Sequence, residues 1–286
     1  MTSSGSTVVE RRRLRADLRR ARQEVDLTQD QVAAEMDWSL SKIIRIESGS
    51  VSISTNDLRA LLQLYNITDD AEIRRLVELA RAARRRSWWS RYRGSVPPAF
   101  FQYLEYEEAA SAIRHYESFL VPGLLQTRAY AHTVTGEYKD FNTKTIQTRV
   151  DIRMTRQQLL EQKSPPRLNF ILDEAVIRRL MGDERIRAEQ IQKLIEMAAR
   201  PTVSIEIVPF SAGLYSGLGE TFTLLEFRDT EDDDVLYFEN ARDALFSYDD
   251  TEEVVFYREM FEALRKASLG VKRSQAFLGH VQAELG

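Results

Sequence analysis

The sequence contains no cysteine, which excludes a disulfide framework, a thiol nucleophile and thiolate ligands for zinc. A chain without disulfides suits a reducing compartment, and we expect a cytoplasmic protein. Histidine is scarce: the three histidines, His115, His132 and His280, have no partner at the spacing of metal ligands. The motifs HExxH and GxSxG are also missing. These absences predict a protein that is not an enzyme and has neither a metal site nor a cofactor.

Long apolar runs are missing as well. No stretch of eighteen apolar residues occurs, so we expect no membrane span. The first residues, MTSSGSTVVERRR, lack the apolar segment of a secretory signal. At 286 residues the chain is long enough for two domains, each with its own core.

Charge is distributed unevenly along the chain. Residues 1–93 contain 18 Lys and Arg against 13 Asp and Glu, a balance of +5. The remainder therefore contains 22 basic and 31 acidic residues, a balance of −9. A basic N-terminal part joined to an acidic C-terminal part is typical of a DNA reader with a separate regulatory domain.

Residues 27–49, LTQDQVAAEMDWSLSKIIRIESG, predict two short helices joined by a tight turn. Thr28 is a good N-cap for the first helix, and Asp37 and Trp38 form the turn. The inner faces consist of Val32, Ala33 and Met36 in the first helix and Ile43 and Ile46 in the second. We interpret this segment as a helix-turn-helix.

The second helix of this segment has a mostly polar outer face. Ser39 caps the helix, and Gly49 follows it as a C′ residue. The side chains that point outward or lie at the rim are Leu40, Ser41, Lys42, Ile44 and Arg45. A short helix of this kind can enter the major groove of DNA, where Lys42 and Arg45 can reach guanine or phosphate.

The flanking pattern completes a mainly α N-terminal five-helix domain over residues 10–86, preceded by a disordered tail over residues 1–9. One helix lies upstream of the motif, and two follow it, capped near Ser54 and Asp69. Residues 87–104 are rich in aromatic residues and contain Pro97-Pro98, and they predict a connector that packs on the second domain.

Residues 105–286 predict an α+β domain with a small mixed sheet. Period-two alternation is clearest in the segments RLNFIL and TVSIEIV. The predicted strands are 167–172, 202–208, 221–227 and 234–238. The predicted helices are 105–118, 123–135, 142–163, 173–181, 184–199, 250–268 and 271–284.

The N-terminal domain resembles the XRE, or phage-repressor-like, helix-turn-helix family. The residues that carry the resemblance are Leu27-Thr28-Gln29, Ala33, Ser39, Ile43 and the run Arg45-Ile46-Glu47-x-Gly49. The resemblance implies that Gln29 contacts phosphate, and that Arg22 and Glu47 form an ion pair within the domain. It also implies base reading by Ser39, Leu40 and Ser41, with Arg45 one turn later. Asp37 and Trp38 depart from the family, which usually has glycine and a small aliphatic residue in the turn.

The remaining chain resembles a group of actinobacterial regulators that join such a domain to a C-terminal domain of unknown function. The matching segments include Trp89-x-x-Tyr92, Phe119-x-x-Pro122-Gly123-Leu124-Leu125-Gln126-Thr127 and Pro209-Phe210-x-Ala212-Gly213. The resemblance implies a small partner protein, often encoded nearby in an arrangement like that of toxin–antitoxin pairs.

Four further segments have two interpretations each. The clusters Arg11-Arg12-Arg13 and Arg84-Arg85-Arg86 either contact the DNA backbone or are solvent-exposed ends of helices. Residues 231–234, four adjacent carboxylates, either bind a hard cation or form a hairpin tip. The glycine-rich segment 209–219 lacks the lysine of a phosphate-binding loop, so a long hairpin connection is favoured.

These patterns predict a sequence-specific transcriptional regulator that binds double-stranded DNA. A homodimer is expected, because one short recognition helix reads few base pairs. The alternative is an antitoxin-like protein that binds a small partner protein and uses DNA binding for autoregulation. A third hypothesis makes the C-terminal domain the receptor for a small-molecule effector.

Overall fold

The computed structural model describes residues 7–47, 51–83, 88–92, 94–227, 234–239, 244–247 and 251–285. The chain divides into two compact units, residues 1–90 and 91–286. Gly49, the cluster 84–86, residues 231–233 and most of the predicted tail lie outside the described residues. Within the described part of the chain, no helix is long and apolar enough to cross a membrane.

Five helices form the described part of the N-terminal unit. They are α1 (Thr7–Glu24), α2 (Gln29–Glu35), α3 (Leu40–Glu47), α4 (Thr55–Leu64) and α5 (Asp70–Ala82). Side-chain oxygens of Thr28, Ser54 and Asp69 cap α2, α4 and α5, as their sequence positions predict. One core joins the helices through buried residues that include Leu18, Val32, Ile43, Leu58, Leu61 and Leu76. The predicted five-helix domain is confirmed.

Three of these helices are followed, two residues after their last residue, by a residue with left-handed backbone conformation. Asp26, Asp37 and Asn66 have φ angles of 52°, 52° and 58°. In the turn between α2 and α3, the amide of Asp37 donates to the carbonyl of Ala34, and the amide of Trp38 donates to that of Ala33. This pair of bonds is the Schellman arrangement that ends many helices. Aspartate and asparagine tolerate this conformation better than most residues, which explains their use here in place of glycine.

The C-terminal unit contains seven helices among its described residues. They are α6 (Pro98–Ala109), α7 (Arg128–Gly136), α8 (Thr143–Arg156), α9 (Glu174–Arg178), α10 (Glu184–Ala198), α11 (Thr251–Ala267) and α12 (Gly270–Glu284). The segment predicted as a connector, 87–104, contains a 3-10 turn at Trp88–Tyr92 and the first half of α6. Pro98 is the first residue of α6, where its missing N–H costs nothing.

A mixed sheet with the strand order β3-β2-β1-β4-β5-β6 forms the centre of this unit. Its strands are β1 (Ala112–Glu117), β2 (Arg167–Asp173), β3 (Val203–Val208), β4 (Phe222–Glu226), β5 (Val235–Glu239) and β6 (Ala244–Ser247). The first three strands are parallel, and the last three continue the sheet in antiparallel pairs. The predicted α+β domain with a mixed sheet is confirmed.

The predicted helix over 105–118 is wrong in its second half. The helix ends at Ala109, and residues 112–117 form β1, a central strand of the sheet. Ile113 lies opposite Leu168 of β2 on one side and Leu225 of β4 on the other. Local preference favoured a helix because alanine, arginine and glutamate are good helix formers, and pairing with distant strands overrides that preference.

The connection from β3 to β4 is not the predicted hairpin. β3 lies at one edge of the sheet, and β4 pairs with β1 in the middle, so residues 209–221 cross over two strands. Tyr215 in this crossover shares a hydrogen bond of 2.9 Å with the hydroxyl of Tyr116 and donates another to the carboxylate of Asp173. Asp173 also accepts from the amide of Ala175 at 2.7 Å and caps α9, as its position after a strand predicts.

Both faces of the sheet are covered. Leu168, Phe170 and Leu172 of β2 alternate as predicted and pair in register with the buried residues Val203, Ile205 and Ile207 of β3. On the opposite face, α11 packs through a cluster that includes Tyr116, Ile171, Phe222, Leu236 and Phe261.

Candidate nucleic-acid interface

α3 presents two different faces. Ile43 and Ile46 are buried in the core of the N-terminal unit, and Ser39, Ser41 and Arg45 are exposed on the other side. Leu40 and Ile44 are apolar yet 37% and 43% exposed. The side chains predicted to read bases therefore project outward from one short helix, whose inner face fixes its orientation. An exposed face of this composition can offer hydrogen-bond donors and apolar contacts to base edges.

Trp38 explains how the unusual turn is accommodated. Its indole is half-buried and packs against the core of the N-terminal unit. The ammonium of Lys42 lies 3.5 Å from the centre of the Trp38 ring, a cation–π contact. Trp38 therefore replaces a small turn residue by filling space beside the core and by holding a side chain of α3.

Lys42 also has an acidic partner. Its Nζ lies 3.2 Å from Oδ2 of Asp57, in the first turn of α4. Both side chains are about one-third exposed, at 33% and 36%. The positive charge of Lys42, predicted to contact DNA, is thus partly balanced within the unit. The sequence shows Asp57 only as a favourable charge near a helix start, with no sign of its partner.

Glu47 is a buried carboxylate at the end of α3, with only 2% of its surface exposed. Arg22 of α1 donates to it twice, from Nε to Oε1 at 2.8 Å and from Nη2 to Oε2 at 3.2 Å. The hydrogen bonds and charge of Glu47 raise the pKa of Arg22. Arg22 also donates from Nη1 to the carbonyl of Leu27 at 2.7 Å. The pair that the resemblance implied is present as a bidentate ion pair whose carboxylate is buried.

Gln29 lies at the same junction. Its Nε2 donates to Oε2 of Glu47 at 2.8 Å, so the side chain expected to contact phosphate is already held by a carboxylate. Gln29 is half-buried, and one hydrogen of its amide nitrogen remains for an outside acceptor. The sequence does not predict the hydrogen bond between Gln29 and Glu47, because no local pattern connects the two residues.

Tyr65 completes the buried side of this junction. Burial and the nearby charge of Glu47 raise the pKa of its hydroxyl above the ordinary range. The hydroxyl has no hydrogen-bond partner among the described residues, and the ring is 3% exposed. Arg22 supplies the positive charge that pairs with the carboxylate of Glu47 at this junction.

The remaining candidate residues are dispersed. Arg11 of the first basic cluster donates from Nε to the carbonyl of Ala83 at 2.9 Å and so joins α1 to the end of α5. Asp234 of the carboxylate run pairs with Arg258 of α11. No group of three or more potential metal ligands occurs among the described residues.

Comparison with known families agrees with this division of the chain. Residues 13–76 match a family described as a helix-turn-helix domain, and residues 100–280 match a family described as domain of unknown function (DUF5753). No curated protein and no solved structure matches the chain. The helix-turn-helix domain indicates a DNA-binding regulator. Because the second match covers more than half of its residues, the chain belongs to the DUF5753 family, here joined to an N-terminal helix-turn-helix domain.

Proposed function

We propose that the protein is a sequence-specific transcriptional regulator of the XRE type that binds double-stranded DNA through α3. The observation that carries this proposal is the exposure of Ser39, just before α3, and of Ser41 and Arg45 on α3, a helix fixed from behind by Ile43 and Ile46. Arg45 is the long cationic side chain on this face, and arginine makes the commonest specific contact to guanine. In this proposal Gln29, at the start of α2, contacts a phosphate of the DNA backbone.

A homodimer is part of the proposal. A recognition helix of eight residues contacts few base pairs, and two copies on a palindromic site double the sequence that is read. The mass of the protein–DNA complex, measured by light scattering, tests this point. One protein chain bound per operator would contradict it.

The experiment that tests DNA reading selects binding sequences from a random duplex library with the full-length protein. The preferred duplex is then titrated with wild type and with Arg45→Ala, Gln29→Ala and Arg74→Ala. Arg45→Ala is expected to relax the preference at one base position by about 1–3 kcal/mol. Gln29→Ala is expected to weaken all duplexes similarly. Arg74, exposed on α5, is the control that removes a positive charge outside the motif.

Two outcomes of this experiment would contradict the proposal or one of its parts. Selection that enriches no sequence, at low as well as moderate salt, would contradict DNA reading. Enrichment with unchanged preference in Arg45→Ala would contradict the role of that residue.

An antitoxin-like role is the second candidate. The observation that favours it is the crossover before β4, where Phe210, Leu214 and Leu218 are 58%, 89% and 51% exposed. Exposed apolar side chains close together in sequence are typical of protein-binding surfaces. A small protein that copurifies in stoichiometric amount with wild type, and is lost with Leu214→Ser, would support this role. Copurification that is unchanged by Leu214→Ser would argue against this surface.

A further inference from the structure

A cavity of about 640 Å³ lies within the C-terminal unit. It is lined by side chains of β1, β4, β5, α6 and α8 and by the segment after β1. Pockets for small molecules commonly have volumes of roughly 300–1,000 Å³. The cavity therefore has room for a ligand of about two fused rings with substituents.

Its position in the sheet is one at which ligands are commonly bound. β2 and β3 extend the sheet on one side of β1, and β4 extends it on the other. Glu117, the last residue of β1, and Thr221, just before β4, both line the cavity. In open α/β sheets, ligands bind beyond the carboxyl ends of strands where the chain changes direction across the sheet.

The α8 wall is positively charged. Arg149, Arg153 and Arg156 recur at helical spacing and all line the cavity. Arg156 is neutralised by a bidentate pair with Glu107, at 2.7 and 2.6 Å. Arg149 stacks over Phe141, with its Cζ 4.2 Å from the ring centre, and its Nε has no hydrogen-bond partner among the described residues. The guanidinium of Arg149 is therefore placed to bind an anion.

Hydrogen-bond acceptors also line the cavity. Gln126 is 3% exposed and donates from Nε2 to the carbonyl of Val121 at 2.8 Å. Its Oε1 is buried and receives no hydrogen bond from any described residue. A buried amide oxygen without a donor is unfavourable, so Gln126 is suited to a ligand that carries an N–H or O–H group.

Glu117 is a second acceptor that lines the cavity. It accepts hydrogen bonds from Thr221 Oγ1 at 3.0 Å and from the amide of Phe119 at 3.2 Å, and its Oε2 lies 3.5 Å from Nε2 of His115. Burial opposes ionisation of this carboxyl, but the contacts with His115, Phe119 and Thr221 together lower the pKa of Glu117. Its carboxylate repels an anion placed beside it, so an anion in the cavity is expected at Arg149 instead.

Aromatic rings line much of the cavity. They belong to Phe100, Tyr103, Phe119, Tyr138, Phe222 and Tyr237. Phe119 and Tyr138 are 60% and 47% exposed, and such exposure of large rings suits the entrance of a binding site. A planar apolar body would stack against these rings.

We propose that this cavity binds a small amphipathic acid, namely an aromatic or similarly planar body with one oxyanion and a separate hydrogen-bond donor. The oxyanion, a carboxylate or a phosphate, pairs with Arg149. The donor reaches Oε1 of Gln126, and the body lies against the aromatic rings. All these residues belong to the C-terminal unit, so the inference stands apart from DNA recognition.

Titration calorimetry on the full-length protein tests the proposal with three matched probes: 6-hydroxy-2-naphthoate, 6-hydroxy-2-naphthyl phosphate and the neutral 6-hydroxy-2-naphthamide. At least one of the two anions is expected to bind roughly tenfold or more tightly than the amide, because a hydrogen bond to a charged group is the stronger kind. The better anion identifies the chemistry of the oxyanion. Equal binding of all three probes, or no binding at millimolar concentration, would overturn the proposal.

Two variants locate the anion. Arg149→Gln is expected to weaken the preferred anion roughly tenfold and to leave the amide unchanged. Lys144→Gln removes one positive charge from an exposed position of the same helix, outside the cavity, and is expected to bind like wild type. Equal loss in both variants, or none in Arg149→Gln, would overturn the assignment. If Arg149→Gln does not fold, the difference between the affinities of wild type for the anions and for the amide still tests the proposal.

Discussion

Gln29 at the start of α2 and Glu47 at the end of α3 are joined by a hydrogen bond of 2.8 Å from Nε2 to Oε2. The two helices of the motif are thus connected at their outer ends as well as through the turn at Asp37. Arg22 binds the same carboxylate and brings α1 to the junction. Gln29, which is expected to contact DNA, therefore also helps to orient the recognition helix α3.

The variant Glu47→Gln is expected to destabilise the N-terminal unit by roughly 3 kcal/mol, because it leaves the guanidinium of Arg22 without a charged partner in a buried site. Hydrogen exchange of the α1–α3 amides in the full-length protein measures this loss as faster local opening. Glu78→Gln is the matched control, since Glu78 pairs with Arg81 on the surface and is 69% exposed. Its loss is expected at about 0–1 kcal/mol. Equal protection in both variants would contradict a structural role for the Glu47 junction.

Replacement of Asp37 tests the left-handed turn. Asp37→Gly is expected to leave stability unchanged within about 1 kcal/mol, because relief of the positive φ offsets the extra backbone freedom of glycine. Asp37→Val is expected to cost roughly 1–2 kcal/mol, since a β-branched residue is strained at a φ of 52°. Thermal melting of the full-length proteins compares the two. A valine variant as stable as the glycine variant would show that the turn relaxes to another conformation.

The N-terminal unit was predictable because its signals are local. Thr28, Ser54 and Asp69 cap helices within three residues of their own positions, and the buried faces follow helical periodicity. Local signals do not reveal the acidic partner of Lys42. The outward position of Lys42 follows from periodicity, but its contact with Asp57, fifteen residues away, depends on how α4 packs beside α3.

In the C-terminal unit the missed features are non-local. β1 is a strand because of its neighbours in the sheet: it pairs with β2, about fifty residues later, and with β4, more than a hundred residues later. The alternation in β2 and β3 was visible because both strands bury one complete face. The cavity was not predictable, since Gln126, Arg149 and Glu117 meet only through the crossover connections.

Asp57→Asn is expected to strengthen binding to all DNA duplexes. Binding by this variant is also expected to depend more steeply on salt concentration. The substitution frees the charge of Lys42 on α3, and each added contact with phosphate raises the salt slope by about 0.9. Stability is expected to change by less than about 1 kcal/mol, because the Lys42–Asp57 pair is partly exposed. Binding isotherms over a range of salt concentrations check this. Asp69→Asn, at the N-cap of α5, is the control for loss of an acidic charge outside the motif.

The carboxyl of Glu108 in α6 makes stability of the C-terminal unit depend on pH. Burial, together with the carboxylates of Glu105 and Glu107, raises the pKa of Glu108 to about 7. The folded state therefore binds this proton more tightly than the unfolded state does. The resulting stabilisation is present below the ordinary glutamate pKa and is lost as the pH rises through 7.

Glu108→Gln mimics the protonated side chain and is expected to remove this loss. Wild type is expected to lose about 1 kcal/mol between pH 5 and pH 8, a value reduced because the side chain is only partly buried. The variant is then as stable as wild type at pH 5 and more stable at pH 8, which melting of the full-length protein measures. Glu189→Gln, an exposed carboxylate on α10 paired with Arg185, is expected to retain the dependence of wild type. A pH dependence that is unchanged in Glu108→Gln would assign the proton to another group.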